Sequence, residues 1–207
     1  MSDSSAAPPA PDFSRMLRSV NHITIYLRSH ASVRIRSTDS TLKRAAVLVP
    51  LVLENDRLCL LLTKRTESVE HHKGQISFPG GTVDSGDADA AATALREAEE
   101  EIGLNREAVE ILGLLDDLEI PTGFVVTPVV GLLRGMPDLV LNVDEVEEAF
   151  CVPVGFFLDE ANEEVGEREW RGRKLPLYSY QFGAHRIWGA TAAVIRRFLR
   201  GVSDSTR

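Results

Sequence analysis

Apolar and polar positions fall into blocks of distinct period along this chain. Residues 1–12 are rich in Ser, Ala and Pro, offer almost nothing to bury, and read as a disordered tail. Phe13, Leu17, Val20 and the run from Ile23 to Leu27 predict a helical extension within 13–40. Ala45 to Leu53 (AAVLVPLVL) and Leu58 to Thr63 (LCLLLT) are short, unbroken apolar runs separated by Glu54-Asn55-Asp56, the pattern of two buried strands in a hairpin. Pro50 has no N–H to give a neighbour, which predicts an edge position or a bulge in the first strand. A helix is expected at about 88–102, strands at 110–118, 126–134 and 174–182, and a short helix near 154–161. Thr191, Val194, Ile195, Phe198 and Leu199 repeat at helical spacing in a last helix at about 189–200. The main domain is therefore expected at 41–200, with a second tail at 201–207. Strands interleaved with helices predict an α/β fold, a mixed β-sheet between helices in an α/β/α sandwich.

Composition narrows the function classes. Of 207 residues, 43% are apolar, enough for a core. No apolar run reaches the roughly 18 residues of a membrane span. The start, MSDSSAAPPAPD, has neither the basic nor the apolar segment of a signal peptide. A cytoplasmic protein without a membrane partner is expected. A formal charge of −8 argues against a nucleic-acid partner, but it leaves open a small phosphate-bearing ligand. Such a ligand needs local compensation from cations, backbone N–H groups or metal ions. Cys59 and Cys151 sit among apolar neighbours and read as small core residues.

The densest chemistry lies in Gly80–Leu104, GGTVDSGDADAAATALREAEEEIGL. Asp87 or Asp89 can cap the start of a helix here, and Gly103 can end it in a left-handed conformation. Ala91, Ala94, Leu95, Ala98 and Ile102 form one apolar stripe, while Glu97, Glu100 and Glu101 lie on a different face. Glu97 and Glu101 are like charges at i, i+4, costing about 0.2–0.5 kcal/mol on an isolated helix, and they crowd the helix end where the macrodipole disfavours anions. A solvated acidic face with an Arg96–Glu100 pair is the plain reading. The crowding and the preceding Phe78-Pro79-Gly80-Gly81 turn favour a second one, an oxygen cage for Mg²⁺ built from the three acids and a backbone carbonyl.

These residues resemble the box of the Nudix hydrolases, G-x5-E-x7-R-E-U-x-E-E-x-G-U with U a bulky aliphatic. Gly81, Arg96, Glu97, Glu99-Glu100-Glu101, Gly103 and Leu104 stand in matching order. Asp87 replaces the first Glu, eight residues rather than seven precede Arg96, and Ala98 takes an aliphatic position. The resemblance implies a Nudix-type fold. It also implies a metal site of Glu97, Glu100, Glu101 and the Gly81 carbonyl, with Mg²⁺ or Mn²⁺ as cofactor and Arg96 orienting Glu97. Two residues are candidates for the catalytic base, Glu97 and Glu145, the latter in Asp144-Glu145-Val146.

A second pattern, LLTKRTESVEHHKGQISFPGG at Leu61–Gly81, resembles the coenzyme A diphosphatase signature L-L-T-x-R-[SA]-x3-R-x3-G-x3-F-P-G-G. Thr66 stands for Ser or Ala, and Glu70 for an Arg. Pro121-Thr122-Gly123-Phe124 and Ile187 to Ala192 are similar to further segments of that subgroup. The resemblance implies hydrolysis of coenzyme A (CoA), or its acyl or oxidised forms, to 3′,5′-ADP and 4′-phosphopantetheine, and it suggests a homodimer. Arg65, Lys73 and Gly80 are the candidate substrate-binding residues, Arg65 and Lys73 for the phosphate charges. Lys73 as an ordinary loop lysine, and His71 and His72 as solvated residues, are the plain alternatives. The rival functions are a diphosphatase for ADP-ribose or another nucleoside diphosphate derivative, and a non-catalytic ligand sensor on the same fold.

Overall fold

The computed structural model describes residues 13–35, 41–54, 57–67 and 74–204. In chain order the elements are α1 (Phe13–Ser29), β1 (Lys43–Glu54), β2 (Arg57–Arg65), β3 (Ile76–Ser77), β4 (Gly80–Thr82), α2 (Ala90–Ile102), β5 (Glu110–Leu114), β6 (Leu118–Ile120), β7 (Phe124–Arg134), β8 (Val146–Pro153), α3 (Val154–Leu158), β9 (Glu163–Trp170), β10 (Arg173–Phe182), β11 (His185–Trp188) and α4 (Gly189–Asp204). Among the described residues, eight strands form one sheet along the path β3-β2-β1-β7-β5, with β4 on β1, β6 on β7 and β8 on β2. β1 and β7 run parallel from Lys43 opposite Phe124 to Leu53 opposite Arg134, and the other pairs are antiparallel, so the sheet is mixed.

Unbroken apolar strands need cover on both faces, and the burial pattern supplies it. In β1, Ala46, Leu48 and Val52 face α2, where Ala94, Ala98 and Ile102 meet them. Val49 and Leu51 face the opposite layer, where Val20, Ile23 and Leu27 of α1 and Val194, Ile195 and Phe198 of α4 lie. Alternate residues of β2 and β7 divide in the same way, Leu60 and Val130 to one side, Leu61 and Val129 to the other. The α/β/α sandwich follows from that period of two. A three-stranded sheet, β11-β10-β9, adds Tyr180 and Ile187 to the α4 side.

Several expectations need correction. Pro50 is not at an edge, because β1 lies inside the sheet. Leu48 N–H donates to Pro79 O at 2.8 Å. By alternation the Pro50 nitrogen points to that same side, between the end of the β4 ladder at Val47 and the start of the β2 ladder at Leu51, where no strand partner asks for a donor. The single strand expected at 110–118 is two, because the chain turns at Leu115–Asp117 to bury Asp117. There Asp117 accepts from Thr127 Oγ1 (2.7 Å), Arg34 Nη1 (2.6 Å), Arg44 Nη1 (3.0 Å) and Ile35 N–H (2.9 Å), pinning residues 33–35 to the sheet. Cys59 and Cys151 are only half-buried rather than core. Strands β3, β4, β8, β9 and β11 were not anticipated from the apolar pattern, and their mixed polar composition explains it. No helix among the described residues is long and apolar enough to cross a membrane.

Candidate active site

α2 starts where Asp89 caps it, accepting from Ala92 N–H at 2.8 Å, and stops at Gly103, whose φ of 65° is the left-handed end that glycine tolerates. Asp87 is thereby released from capping and meets Arg96. Its two oxygens take Arg96 Nε (3.1 Å) and Nη2 (3.0 Å), and one also accepts from Thr93 Oγ1 (2.8 Å) and Asp84 N–H (2.9 Å). The Arg96 guanidinium first, then these N–H and O–H donors, hold the Asp87 carboxyl well below the usual carboxylate range. The additional residue in the box is absorbed in the turn before the helix, and Asp87 still reaches the arginine. Arg96 goes on to donate to Glu97 Oε1 (2.9 Å), Glu100 Oε2 (3.2 Å) and Thr82 O (3.0 Å). The pairing with Glu100, the plain reading of this face, exists. It is one branch of a hub that fixes three acids and the strand carrying Gly81.

Gly81 pairs with Ala46 on β1. A Cβ built on it would stand 2.6 Å from Glu97 Oε1 and closer still to the rest of that carboxylate, so the acid occupies the space a side chain would take. Burial raises the Glu97 pKa, against the pull of Arg96 and with help from Glu100 and Glu145.

Glu101 departs from expectation. It does not share an open acidic face but is 2% exposed. Gly80 N–H donates to its Oε2 at 3.2 Å and Arg65 Nη1 to its Oε1 at 3.1 Å. Burial pushes its carboxyl up to about 7, opposed by Arg65 and the Gly80 N–H and reinforced by Glu145 and Glu97. Gly80 and Arg65, expected to contact substrate, are thus occupied with an acid of the site. Arg65 Nη2 also lies 4.0 Å from Glu145 Oε2.

The turn carrying Glu145 is fastened to both neighbours. Thr66 N–H donates to Glu145 O (2.9 Å), Asn142 N–H to Glu101 O (2.9 Å), and Asn142 Nδ2 to Glu145 Oε1 (3.2 Å). Asn142 was missed in the sequence. Its signal was an Asn two residues before Asp144, whose N–H its side chain accepts at 3.2 Å in an Asx turn. Lys73, with Glu70, His71 and His72, lies outside the described residues. Glu99 points away and pairs with Arg106, while Phe78 is buried beneath the turn.

Four carboxylates, Glu97, Glu100, Glu101 and Glu145, therefore surround the end of α2, held by two arginines. Among the described residues no three His, Cys, Asp or Glu side chains stand already closed around one point. The donor set nonetheless fits a hard divalent cation: carboxylate oxygens beside a glycine backbone, with the Glu97 carboxylate drawn against Gly81 in the space a side chain would fill.

A mixed sheet between helices, with an acid-bearing helix seated on a glycine turn, is an arrangement suited to metal-assisted hydrolysis. A family model described as NUDIX domain matches residues 42–155, and the chain belongs to the Nudix family. Members of this family generally use divalent metals such as Mg²⁺ or Mn²⁺. Among curated relatives, one named uncharacterized Nudix hydrolase NudL from Photorhabdus laumondii is 39% identical over 160 residues, 77% of this chain and 85% of the relative. One of the same name from Escherichia coli (strain K12 / DH10B) is 40% identical over 156 residues, 74% of this chain and 80% of the relative. Among solved structures, the Nudix hydrolase RenU from M. Smegmatis superposes with a TM-score of 0.55 at 19% identity, over 80% of this chain and 88% of RenU. A MutT protein from Methanosarcina mazei Go1 gives 0.51 at 18% identity, over 86% of this chain and all of its own.

Proposed function

We propose that the chain is a metal-dependent diphosphatase acting on CoA or a CoA derivative, releasing 3′,5′-ADP and 4′-phosphopantetheine. The observation that carries the diphosphatase chemistry is the set of acids on α2 and the following turn, with Glu97 against Gly81, Glu101 on the Gly80 N–H, Glu100 on Arg96 and Glu145 beside Arg65. Support for CoA comes from the pattern of Leu61–Gly81, with Leu61, Leu62, Thr63, Arg65, Gly74, Phe78, Pro79, Gly80 and Gly81 in place.

Glu97, Glu100, Glu101 and the Gly81 carbonyl would hold Mg²⁺ or Mn²⁺, which supplies charge neutralisation of the diphosphate and a lowered pKa for the attacking water. The chain's own residues do the positioning. Asp87 fixes the Arg96 guanidinium, and Arg96 fixes Glu97 and Glu100 in one orientation. Arg65 and the Gly80 N–H hold Glu101 under the turn. Between the two candidate bases, Glu145 is the one that solvent reaches: its side chain is 43% exposed against 17% for Glu97, which Arg96 also engages. Glu145 accepts the proton of the water in this reading, aimed by Asn142 and by the backbone bond to Thr66.

The test is product analysis of the purified protein with Mg²⁺ or Mn²⁺ on CoA, ADP-ribose and diadenosine polyphosphates in parallel. The expected result is 3′,5′-ADP from CoA at the highest kcat/KM. A preference for another diphosphate overturns the CoA assignment and leaves the hydrolase standing. Silence on every diphosphate favours the ligand-sensor reading.

A further inference from the structure

Away from the acids, three sulfur-bearing side chains share one cavity. Cys59, Cys151 and Met136, with Val52, Glu54, Arg57 and Pro153, line a space of about 480 Å³ beside the β1–β2 turn. Cys151 Sγ lies 3.7 Å from Met136 Sδ. Cys59 stands opposite Pro153 and Cys151 opposite Leu61, so the two cysteines are diagonal neighbours on one face of β2 and β8. Diagonal Cα atoms are about 7–8 Å apart, beyond the roughly 4.4–6.8 Å that a disulfide spans. At that general spacing an atom held between the two thiols fits better than a direct S–S bond, and both cysteines are free. Two sulfurs bound to one ion at about 2.3 Å each, with a trigonal or tetrahedral angle, stand roughly 3.7–4.0 Å apart. Cys151 and Met136 already have that separation.

We propose that Cys59, Cys151 and Met136 form a three-sulfur site for a soft monovalent metal ion, Cu(I). The donor set chooses the metal. Thiolate and thioether select Cu(I), whereas Mg²⁺ and Ca²⁺ take oxygen. Zinc is bound by four donors drawn from Cys, His and carboxylate. Among the described residues no His or carboxylate completes a metal-holding set of three with the two cysteines, so the thioether makes the third ligand here. Burial pushes the Cys151 thiol up to about 11 and raises that of Cys59, so both hold their protons at neutral pH. Loading therefore exchanges two S–H protons for one ion, with no change of oxidation state. Six residues of β2, about 20 Å of strand, separate Cys59 from Arg65, which makes this site independent of the hydrolytic one.

Anaerobic titration of the full-length protein with Cu(I) against a colorimetric Cu(I) chelator tests the proposal, with X-ray absorption on the loaded sample. One Cu(I) per chain, Cu–S distances near 2.3 Å, and proton release on loading are expected. Cys59→Ser and Cys151→Ser should each lower affinity by roughly 100-fold, and Met136→Leu by roughly tenfold. Met136 is 41% exposed, so that variant keeps the test sound if a cysteine variant fails to fold. Melting curves of the metal-free variants and their Mg²⁺-supported hydrolysis should match the parent. Equal Cu(I) affinity in the parent and in the Cys59→Ser, Cys151→Ser double variant overturns the site. So does Zn(II) displacing Cu(I), or loss of both free thiols to a disulfide in air.

Discussion

Gly80 and Gly81 are adjacent and chemically identical, yet adding one methyl to each should have opposite consequences. At Gly81 the backbone is ordinary and the obstacle is the Glu97 carboxylate, 2.6 Å from the new Cβ at Oε1. Normal carbon contact is about 3.5 Å, so the carboxylate must retreat by about 1 Å. It sits at the end of a flexible side chain and can do so, loosening its 2.9 Å bond from Arg96. Alanine also reduces the freedom of the unfolded chain, worth about 0.4–1 kcal/mol, so the net stability change of Gly81→Ala should stay within about 1 kcal/mol. Misplacing a reacting group by about 1 Å costs up to about 100-fold in rate. At Gly80, φ is +155° and the Cβ would meet Val47 Cα at 2.6 Å and the Ala46 carbonyl oxygen, backbone of an interior strand that has nowhere to go. Strain and overpacking together should cost about 3 kcal/mol or more. Urea unfolding and steady-state hydrolysis of both variants measure this directly. A Gly81→Ala enzyme with parental kcat, or a Gly80→Ala protein as stable as the parent, refutes the geometry.

Arg65→Ala should destabilise the metal-free protein by about 1–3 kcal/mol and weaken Mn²⁺ binding, since Glu101 loses a buried partner; Arg65→Lys should recover part of both. A rise in KM alone, with melting and Mn²⁺ affinity unchanged, would instead make Arg65 a substrate contact. Glu100→Gln should lower turnover by orders of magnitude while leaving the melt unchanged, because Arg96 keeps Asp87 and Glu97; a normal rate sinks its assignment as a metal ligand. Burial alone would raise the Asp117 pKa, but the hydrogen bonds from Thr127, Arg34 and Ile35 outweigh it and the net shift is downward. Its unfolded value is about 3.9, so its contribution is complete above about pH 4 and is lost as pH falls through the lower folded value. Asp117→Asn should therefore cost about 2 kcal/mol at neutral pH and flatten the acid limb of the stability profile. Parallel acid limbs in urea titrations of the two proteins would remove Asp117 from that role.

The sandwich was legible because β1, β2 and β7 are buried on both faces and carry unbroken apolar runs, and because α2 announces its ends with Asp89 and Gly103. What escaped notice has little apolar content of its own. β9 reads EEVGEREW and stands largely exposed, its pairing supplied by β10 rather than by a hydrophobic face. β3 and β4 are two and three residues long, below any period that could be read. The acids of the site were named from helical spacing and from the resemblance to the Nudix box, but neither says how far the neighbouring turn overhangs the helix. Glu101 is four residues from Glu97, yet the Phe78–Gly81 turn and Arg65 bury the first and leave the second half open. Spacing was equally silent about the Glu101 partner of Arg65. A lone cation near a phosphate-binding pattern suggests a phosphate partner, and only the third dimension shows that it also holds a buried carboxylate.

That buried pairing also bears on how a chain of charge −8 would admit the polyanionic ligand proposed above. Two guanidiniums, Arg65 and Arg96, face the four glutamates of the site, and Asp87 takes up much of Arg96 besides. With those acids ionised, negative charge exceeds positive around Gly81 among the described residues. Burial raises the pKa values of Glu97 and Glu101, and the neighbouring carboxylates add to the rise. A diphosphate alone would meet repulsion on approach, and a divalent cation would meet attraction. If this is the metal site, the sign of the field sets an order of binding: cations are favoured at the bare site, and the diphosphate after they have offset that charge. The arginines have a different part. They hold the carboxylates in place before any cation arrives, so the oxygens need little reorganisation to meet it, which is the condition under which electrostatic stabilisation is largest.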